Sequence, residues 1–208
     1  ATTELFTLSL HDALPILACQ FHIPVIAITG SNGKTTVKEW LYQLLAPDYN
    51  ITRSPRSYNS QVGVPLSVWL INQHTDIAIL EAGISNMGEM ERLNRIIQPT
   101  TAVLTNIGQA HQENFLSFDI KCSEKLQLAQ GCQSAVLNAS DHCIAHCMDT
   151  LPPDLHCITW NTADNATPST TLVITGIEKN TIPSSSHQPS SAQCGLPLCG
   201  KQPSHSGL

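Results

Sequence analysis

The sequence is poor in charge, in aromatic residues and in basic runs. Only 12% of its 208 residues are charged, the net charge is −6, and no cluster of Lys and Arg occurs. A protein that binds nucleic acid or an anionic membrane surface needs such clusters, so we exclude both as main partners. No apolar run reaches the roughly 18 residues that a transmembrane helix needs, and we therefore expect no membrane insertion.

The chain also lacks a convincing secretory signal and a disulfide scaffold. Its first residues carry Glu4, His11 and Asp12 and have no basic region ahead of an apolar segment. The eight cysteines contain no C-x-x-C pair, and the chain is too long for a small domain held together by disulfides. We expect reduced thiols, as in a cytoplasmic protein.

The most informative segment is residues 25–36, VIAITGSNGKTT. Four apolar, mostly β-branched residues predict a buried strand, two glycines predict a turn, and Lys34 opens a helical pattern. Such a junction directs backbone N–H groups and the positive end of a helix dipole at one point, which suits a phosphate. Lys34 could then reach the β- and γ-phosphates of a nucleotide, and the Thr35 hydroxyl could bind Mg²⁺. Ile28 stands where the strict motif has its first glycine, so only the second half of that motif matches.

Strand-like and helix-like segments alternate through the middle of the chain. Further strands are predicted at residues 50–54, 77–80, 102–105, 135–137, 156–160 and 172–175. Helices are predicted at residues 35–45, 62–71, 89–97, 118–130 and 142–148. This alternation indicates an α/β fold with a mostly parallel sheet and helices on both faces. Ligands of such sheets bind at the carboxyl ends of the strands.

The two ends of the chain differ from this pattern. Residues 1–16 have no clean period, and we expect a non-native or disordered leader, with a short native helix as the alternative. Residues 181–208 are rich in Ser, Pro, Gln, Gly and His, which predicts a disordered or frameshifted tail. We therefore assign one domain to residues 17–180 and expect no function from either end.

Polar residues follow several of the predicted strands. Glu81 ends a buried strand, which beside a phosphate-binding loop is the usual position of a Mg²⁺ ligand. The segment YNSQVGVPL, residues 58–66, is a polar loop that leads into a helix. We expect Ser54, Asn59 and Ser60 to contact substrate or phosphate there, although an ordinary helix-capping loop is the alternative.

These motifs in combination resemble the Mur ligase family. TGSNGKTT is similar to the family's ATP-binding loop, and residues 81–89 match its E-x-G-x-x-x-x-G-E pattern at every fixed position. YNSQVGVPL is similar to the type that adds D-Ala-D-Ala. The resemblance implies a P-loop NTPase-like central domain whose ATP-binding residues are Gly30, Ser31, Asn32, Gly33, Lys34, Thr35, Thr36, Asn106 and Asn138.

The resemblance also implies two Mg²⁺ sites, one at Thr35 and Glu81 and a second at His111 and a lysine carbamylated by CO₂. Lys125 is the candidate for that lysine, because it follows His111 by the family's spacing. We expect Lys34, His111 and Lys125 to be the catalytic residues.

The choice of lysine leaves alternatives open. Gln127 stands where the family usually has an acid, and Lys121 and Glu124 give other registers of the motif. A solvated helix lysine is the structural alternative for Lys125.

The implied reaction is ATP-driven amide formation in the bacterial cytoplasm. A carboxylate of UDP-MurNAc-tripeptide would form an acyl phosphate, which the amine of D-Ala-D-Ala would then attack. The N- and C-terminal domains of such ligases are not recognisable in this sequence, and we expect the chain to be inactive alone. Two alternatives remain: a folylpolyglutamate or cyanophycin synthetase-like ligase, and a P-loop module that binds nucleotide without catalysis.

One cluster suggests a different chemistry. His142, Cys143, His146 and Cys147 recur at helical spacing, and imidazole and thiolate are zinc ligands. Because the segment is an apolar helix without a C-x-x-C pair, we expect these side chains to pack in the core.

Overall fold

The computed structural model describes residues 22–162 and 170–174. They lie within one compact unit, Ala1–Gly176, while a second unit, Ile177–Leu208, falls outside the described residues. The predicted boundaries at residues 16 and 180 also fall outside them and stay predictions. No helix of the described part is long and apolar enough to cross a membrane.

Seven strands form one sheet in which every described pair is parallel, as the alternating pattern predicted. The strand order is β2-β3-β1-β4-β5-β6-β7. The strands are β1 (Val25–Thr29), β2 (Ile51–Arg53), β3 (Ile77–Glu81), β4 (Thr101–Leu104), β5 (Ser134–Asn138), β6 (His156–Thr162) and β7 (Leu172–Ile174).

Five α-helices connect the strands, and each corresponds to a predicted one. They are α1 (Lys34–Leu45), α2 (Gly63–Val68), α3 (Glu89–Ile97), α4 (Phe118–Leu126) and α5 (His142–Cys147). Two of them are shorter than predicted. The α2 helix ends at Val68, and α4 ends at Leu126, where a 3₁₀ turn over Gln127–Ala129 tightens the chain.

The strand order places β1 at the centre of the candidate site. β1 pairs with β3 on one side and with β4 on the other, so the chain reverses its direction across the sheet at this strand. Ligand sites of parallel sheets lie at such a reversal, at the carboxyl ends of the strands. The connection from β1 to β2 runs towards one edge of the sheet, and the later connections run towards the other edge. Because crossovers are right-handed, α1 lies on one face of the sheet and the later helices lie on the other face.

The large apolar side chains of α1 are not the ones that it buries. Trp40 and Leu44 recur at helical spacing, but they are 62% and 73% exposed. The buried residue of this helix is Lys38, with 0% exposure. The rotation of the helix has a physical reason, since Lys38 must face the sheet to reach a carboxylate at the end of β3.

Candidate active site

Two glycines with left-handed backbones shape the loop between β1 and α1. Gly30 has φ 137° and Gly33 has φ 81°, conformations that side chains disfavour. A Cβ atom on Gly30 would lie 1.9 Å from the hydroxyl oxygen of Thr105, in the loop after β4. Gly30 therefore lets the β1–α1 loop lie directly against the end of β4.

Gly30→Ala should lower the free energy of unfolding by about 3 kcal/mol, because it adds backbone strain to a steric clash with Thr105. The matched control is Gly131→Ala, since Gly131 also has a positive φ of 79° but no atom within 4 Å of the added Cβ. The control should lose only about 1 kcal/mol. Urea denaturation measures both values, and equal losses would contradict the close approach seen here.

The loop is held by the strand-end segment that follows β4. The N–H groups of Ser31 and Asn32 donate to the carbonyl and side-chain oxygens of Asn106, each at 2.9 Å. The Thr105 hydroxyl donates to the Asn32 carbonyl at 2.6 Å. These two N–H groups are therefore engaged within the protein. The donors left for an anion are the N–H groups in the first turn of α1, which have no partner within the helix.

Lys34 lies over the loop, as its position in the motif predicted. Its ammonium donates to the Gly30 carbonyl at 2.9 Å. Burial lowers the pKa of Lys34, and the nearby Glu81 carboxylate offsets part of that effect. The ammonium is thus held at the mouth of the loop, close to the donors at the start of α1.

Glu81 is the acidic centre of the site and is fully buried, with 0% exposure. One carboxylate oxygen accepts from the Thr35 hydroxyl at 3.1 Å, and the other lies 2.8 Å from the ammonium of Lys38. A carboxylate at the end of a buried strand needs a partner, but sequence reasoning did not identify Lys38 as the partner of Glu81. The only local signal is that Lys38 follows Lys34 by one helical turn. The hydroxyl and carboxylate oxygens of Thr35 and Glu81 are donors of the kind that Mg²⁺ prefers.

The three candidate substrate residues have different positions. Ser54 is buried beneath Glu81, and its hydroxyl accepts from the Glu81 N–H at 3.0 Å. The Asn59 carbonyl accepts from the Gly83 N–H at 2.7 Å, and the Ser60 hydroxyl accepts from the Gly63 N–H at 3.2 Å. Asn59 and Ser60 line a cavity beside the loop, whereas Ser54 supports Glu81 from the interior.

This cavity has a volume of about 260 Å³ and is lined by seven of the fifteen candidate residues. Those that line it are Gly30, Ser31, Lys34, Asn59, Ser60, His111 and Lys125. Thr35 and Glu81 lie next to Lys34 but do not line it. Residues from the ends of β1, β2, β3 and β4 thus converge beside one phosphate-binding loop.

Lys125 is an unpaired cation in this cavity. Its side chain is 3% exposed, and within residues 22–162 and 170–174 its ammonium has no hydrogen bond or ion pair. Burial, followed by the positive charges of Lys34 and Lys121, lowers the pKa of Lys125 to about 7. Burial and these charges therefore favour the neutral amine of Lys125 far more than in a solvent-exposed lysine. Glu124 is one of the two alternative positions in the motif. It does not line the cavity, and its carboxylate accepts from the Met90 N–H at 3.1 Å.

Lys121 is the other alternative position in the motif, and it binds the loop that carries His111. Its buried ammonium donates to the carbonyls of Gly108 and Ala110 at 2.5 and 2.6 Å, and lies 3.4 Å from the side-chain oxygen of Gln112. His111 lies between these acceptors with φ 60° and is exposed towards the cavity. Lys121 is therefore fully engaged, and Lys125 is the lysine with access to the cavity.

Asn138 lies apart from the cavity and joins the ends of two strands. Its side-chain oxygen accepts from the Ser140 N–H at 3.0 Å, and its amide nitrogen donates to the Thr105 carbonyl at 3.4 Å. Asp141 caps α5 by accepting from the N–H groups of Cys143 and Ile144, and it also accepts from the Ile107 N–H at 2.8 Å. An adenine contact by Asn138 stays a prediction.

Sequence reasoning missed Gln61 as a cavity residue. Its side-chain nitrogen donates to the Glu89 carbonyl at 3.1 Å, while its side-chain oxygen is buried without a hydrogen-bond partner in the described part of the chain. Its place in the segment YNSQVGVPL, between Ser60 and the start of α2, was the available signal.

The arrangement as a whole defines a class of protein. A central parallel strand leads through a glycine loop into a helix, with Lys34 over the loop and the Thr35 hydroxyl against a strand-end carboxylate. These features place the domain in the phosphate-binding-loop class of α/β proteins.

The chain belongs to the Mur ligase family, whose middle-domain model matches residues 28–202. The UDP-N-acetylmuramoyl-tripeptide–D-alanyl-D-alanine ligase of Bacillus subtilis (strain 168) is 38% identical over 107 residues, which are 51% of this chain and 23% of that protein. The ligase of the same name from Borreliella burgdorferi is 37% identical over 121 residues, or 57% of this chain and 26% of that protein. The chain spans about a quarter of the length of these curated relatives.

Solved structures agree with this assignment. MurF from Acinetobacter baumannii matches 74% of this chain and 35% of its own with a TM-score of 0.70 and 27% identity. MurF ligase from Thermotoga maritima, in complex with ADP, matches 74% of this chain and 36% of its own with a TM-score of 0.67 and 28% identity. FolC from E. coli, in complex with DHPP and ADP, has a TM-score of 0.56 at 19% identity, which shows a shared fold only.

Proposed function

We propose that this chain is the central ATP-binding domain of a ligase that adds D-Ala-D-Ala to UDP-MurNAc-tripeptide in the bacterial cytoplasm. The observation that carries the proposal is the convergence of Lys34, His111 and Lys125 on one cavity beside the glycine loop. The names of the curated relatives support this substrate pair.

ATP would bind with its phosphates at the amino end of α1. The N–H groups of that first turn and the Lys34 ammonium would stabilise the charge on the transferring γ-phosphoryl group. Thr35 and Glu81 would hold one Mg²⁺, and His111 and Lys125 a second. Bound Mg²⁺ would neutralise phosphate charge and orient the reacting oxygens.

Lys125 would act after reaction with CO₂. Its neutral amine nitrogen would form a bond to the carbon of CO₂ as one C–O π bond breaks, and the nitrogen would release one proton to solvent, so a neutral amine becomes a carboxylate-like anion. The low pKa and the lack of a protein partner support this role, because a protonated lysine cannot react in this way.

The substrate carboxylate would enter from the wall formed by Asn59 and Ser60. It would attack the γ-phosphorus of ATP, ADP would leave, and the acyl phosphate would react with the amine of D-Ala-D-Ala to release phosphate. Ser54 would act indirectly, because it lies beneath Glu81 and holds that residue's backbone. The remaining length of the curated relatives would supply the domains that bind the UDP group and the incoming amine.

The two alternatives have weaker support. A folylpolyglutamate synthetase-like ligase would share the fold, but the folylpolyglutamate-related structures are 19% identical or less. A P-loop module without catalysis would have no use for a buried, unpaired lysine that faces the nucleotide loop.

Calorimetric titration of this chain with Mg-ATP tests the nucleotide site directly. We expect weak binding by the wild type and at least tenfold weaker binding by Lys34→Met, which is about 1.4 kcal/mol. Arg95→Met is the matched control. Arg95 is 71% exposed on α3, so this substitution removes the same positive charge without changing the loop. Equal affinity of Lys34→Met and the control would contradict the proposed site, as would the absence of binding by the wild type.

A further inference from the structure

The structure brings three metal-ligating side chains together on the surface between α4 and α5. Asp119 lies in the first turn of α4, and His146 and Cys147 lie in the last turn of α5. One ligand atom from each of the three lies within 4.8 Å of the other two. Two of the four residues in the His/Cys cluster of the sequence thus meet an aspartate from the neighbouring helix, which sequence spacing could not show.

The expectation that the cluster packs in the core is confirmed for the two cysteines and wrong for the two histidines. His142 and His146 are exposed, Cys143 is half-buried, and Cys147 is 4% exposed. The imidazole of His146 is 71% exposed and the carboxylate of Asp119 is 56% exposed. A metal ion could therefore approach from solvent while the buried sulfur fixes the inner position of the site.

We propose that Asp119, His146 and Cys147 bind a zinc ion. Carboxylate oxygen, imidazole nitrogen and thiolate sulfur are all zinc ligands, and a site with three protein ligands leaves a fourth position for water. The thiolate and carboxylate together carry two negative charges, which balance Zn²⁺. A thiolate and an imidazole favour zinc over Mg²⁺, so this site differs chemically from the oxygen donors beside the phosphate loop.

The distance between His146 and Asp119 fits two ligands of one ion, and it also lies within the range of an ion pair. The Nδ1 atom of His146 lies 3.6 Å from the Oδ1 atom of Asp119, which is too long for a hydrogen bond. In tetrahedral zinc sites with bonds of about 2.1 Å, two such ligand atoms are about 3.4 Å apart. The pair is therefore already spaced as two ligands of one ion, and both exposed side chains are free to rotate towards the sulfur.

The surroundings of the sulfur also suit a metal ligand. The Ser123 hydroxyl donates to Sγ of Cys147 at 3.9 Å, and this contact would persist with a thiolate. The thiol of Cys147 donates to the Asp119 carbonyl at 3.8 Å. The proton that zinc would displace from the sulfur therefore points towards Asp119, which also supplies a proposed ligand.

Such an ion would join the start of α4 to the end of α5. Because α4 also carries Lys121 and Lys125, zinc would fix the helix that supplies the candidate lysine without taking part in the reaction. The inference does not depend on the proposed ligase activity.

Titration with Co²⁺ tests the site, because a thiolate ligand gives cobalt a near-ultraviolet charge-transfer band that oxygen ligands do not. The full chain, reduced and freed of metal, is titrated in excess Mg²⁺ to occupy the oxygen-donor sites. We expect a band that saturates at one Co²⁺ per chain and disappears when Zn²⁺ is added. Cys147→Ser should lose the band, and Asp119→Asn should bind Co²⁺ at least about tenfold more weakly.

Two further variants keep the test decisive. Cys132→Ser should retain the band, because that half-buried thiol donates to the carbonyls of Pro99 and Leu128, outside the cluster. If Cys147→Ser does not fold, His146→Ala replaces it, since an exposed histidine can be removed without opening the core. A wild type without the band, or a band that Cys147→Ser or His146→Ala leaves unchanged, would overturn the zinc site.

Discussion

Lys38→Met should lower the free energy of unfolding by about 3–5 kcal/mol, the largest stability effect expected of a single side chain in this domain. Lys38 and Glu81 both have 0% exposure, and their charged atoms lie 2.8 Å apart. Removal of the cation leaves an ionised carboxylate in the interior without its directly paired charge, and only the more distant Lys34 ammonium, which donates to the Gly30 carbonyl, offsets it. It also removes the donor to the Ser54 carbonyl, which is 2.8 Å from the Lys38 ammonium.

A double variant separates the charge effect from lost packing. Lys38→Met combined with Glu81→Gln should be more stable than Lys38→Met alone, because neither buried charge remains. Arg95→Met is the control, since the Arg95–Glu91 ion pair is exposed and should contribute less than about 1 kcal/mol. Urea denaturation at neutral pH measures all three. The buried ion pair would be refuted as the cause of the lost stability by either of two results. One is a double variant in which the losses of unfolding free energy add, and the other is a loss in Lys38→Met no larger than that in Arg95→Met.

Lys125→Ala should lower the turnover of the full-length ligase that contains this domain by about 10³-fold, the size of effect seen when one electrostatic group is removed from an active site. The substitution removes the proposed carbamate from the cavity wall opposite Lys34. Acetate or formate should restore part of the turnover, because a small carboxylate fits the vacated space and supplies the missing oxygens.

The rescue has a demanding control. Lys34→Ala should also lose turnover, but acetate should not restore it, because that site needs a cation near the phosphates. Steady-state assays with and without acetate distinguish the two variants. Full activity of Lys125→Ala, or equal rescue of both variants, would rule out a carbamylated Lys125 while leaving the nucleotide site to be judged by the ATP titration.

Much of this arrangement could be predicted because it is encoded locally. The strand, the glycine turn and Lys34 lie within twelve consecutive residues, and parallel α/β topology brings the strand ends together. His111 and Lys125 were correctly placed at the cavity for that reason. Their catalytic and metal-binding roles stay predictions.

The rest depends on contacts between residues far apart in the chain. Lys38 was not singled out from the sequence, because nothing near it in the chain shows that Glu81 is its partner. Asn106 was predicted to bind ATP, which stays a prediction, and sequence spacing did not show that its oxygens accept from the N–H groups of the loop. Ser54 was predicted at a strand end as a substrate or phosphate contact, and its burial beside Glu81 depends on the pairing of β2 with β3.

The central position of β1 has a consequence for how the domain is made. β1 is the first described strand to leave the ribosome, but its neighbours begin only at Ile77 and Thr101. Its backbone N–H and carbonyl groups stay without sheet partners until those later segments have been synthesised. Parallel pairing over such separations is slow, on the order of milliseconds to seconds for sheet-rich domains. The nucleotide loop is thus translated before the strands that flank it and acquires its final shape only after they have paired with β1.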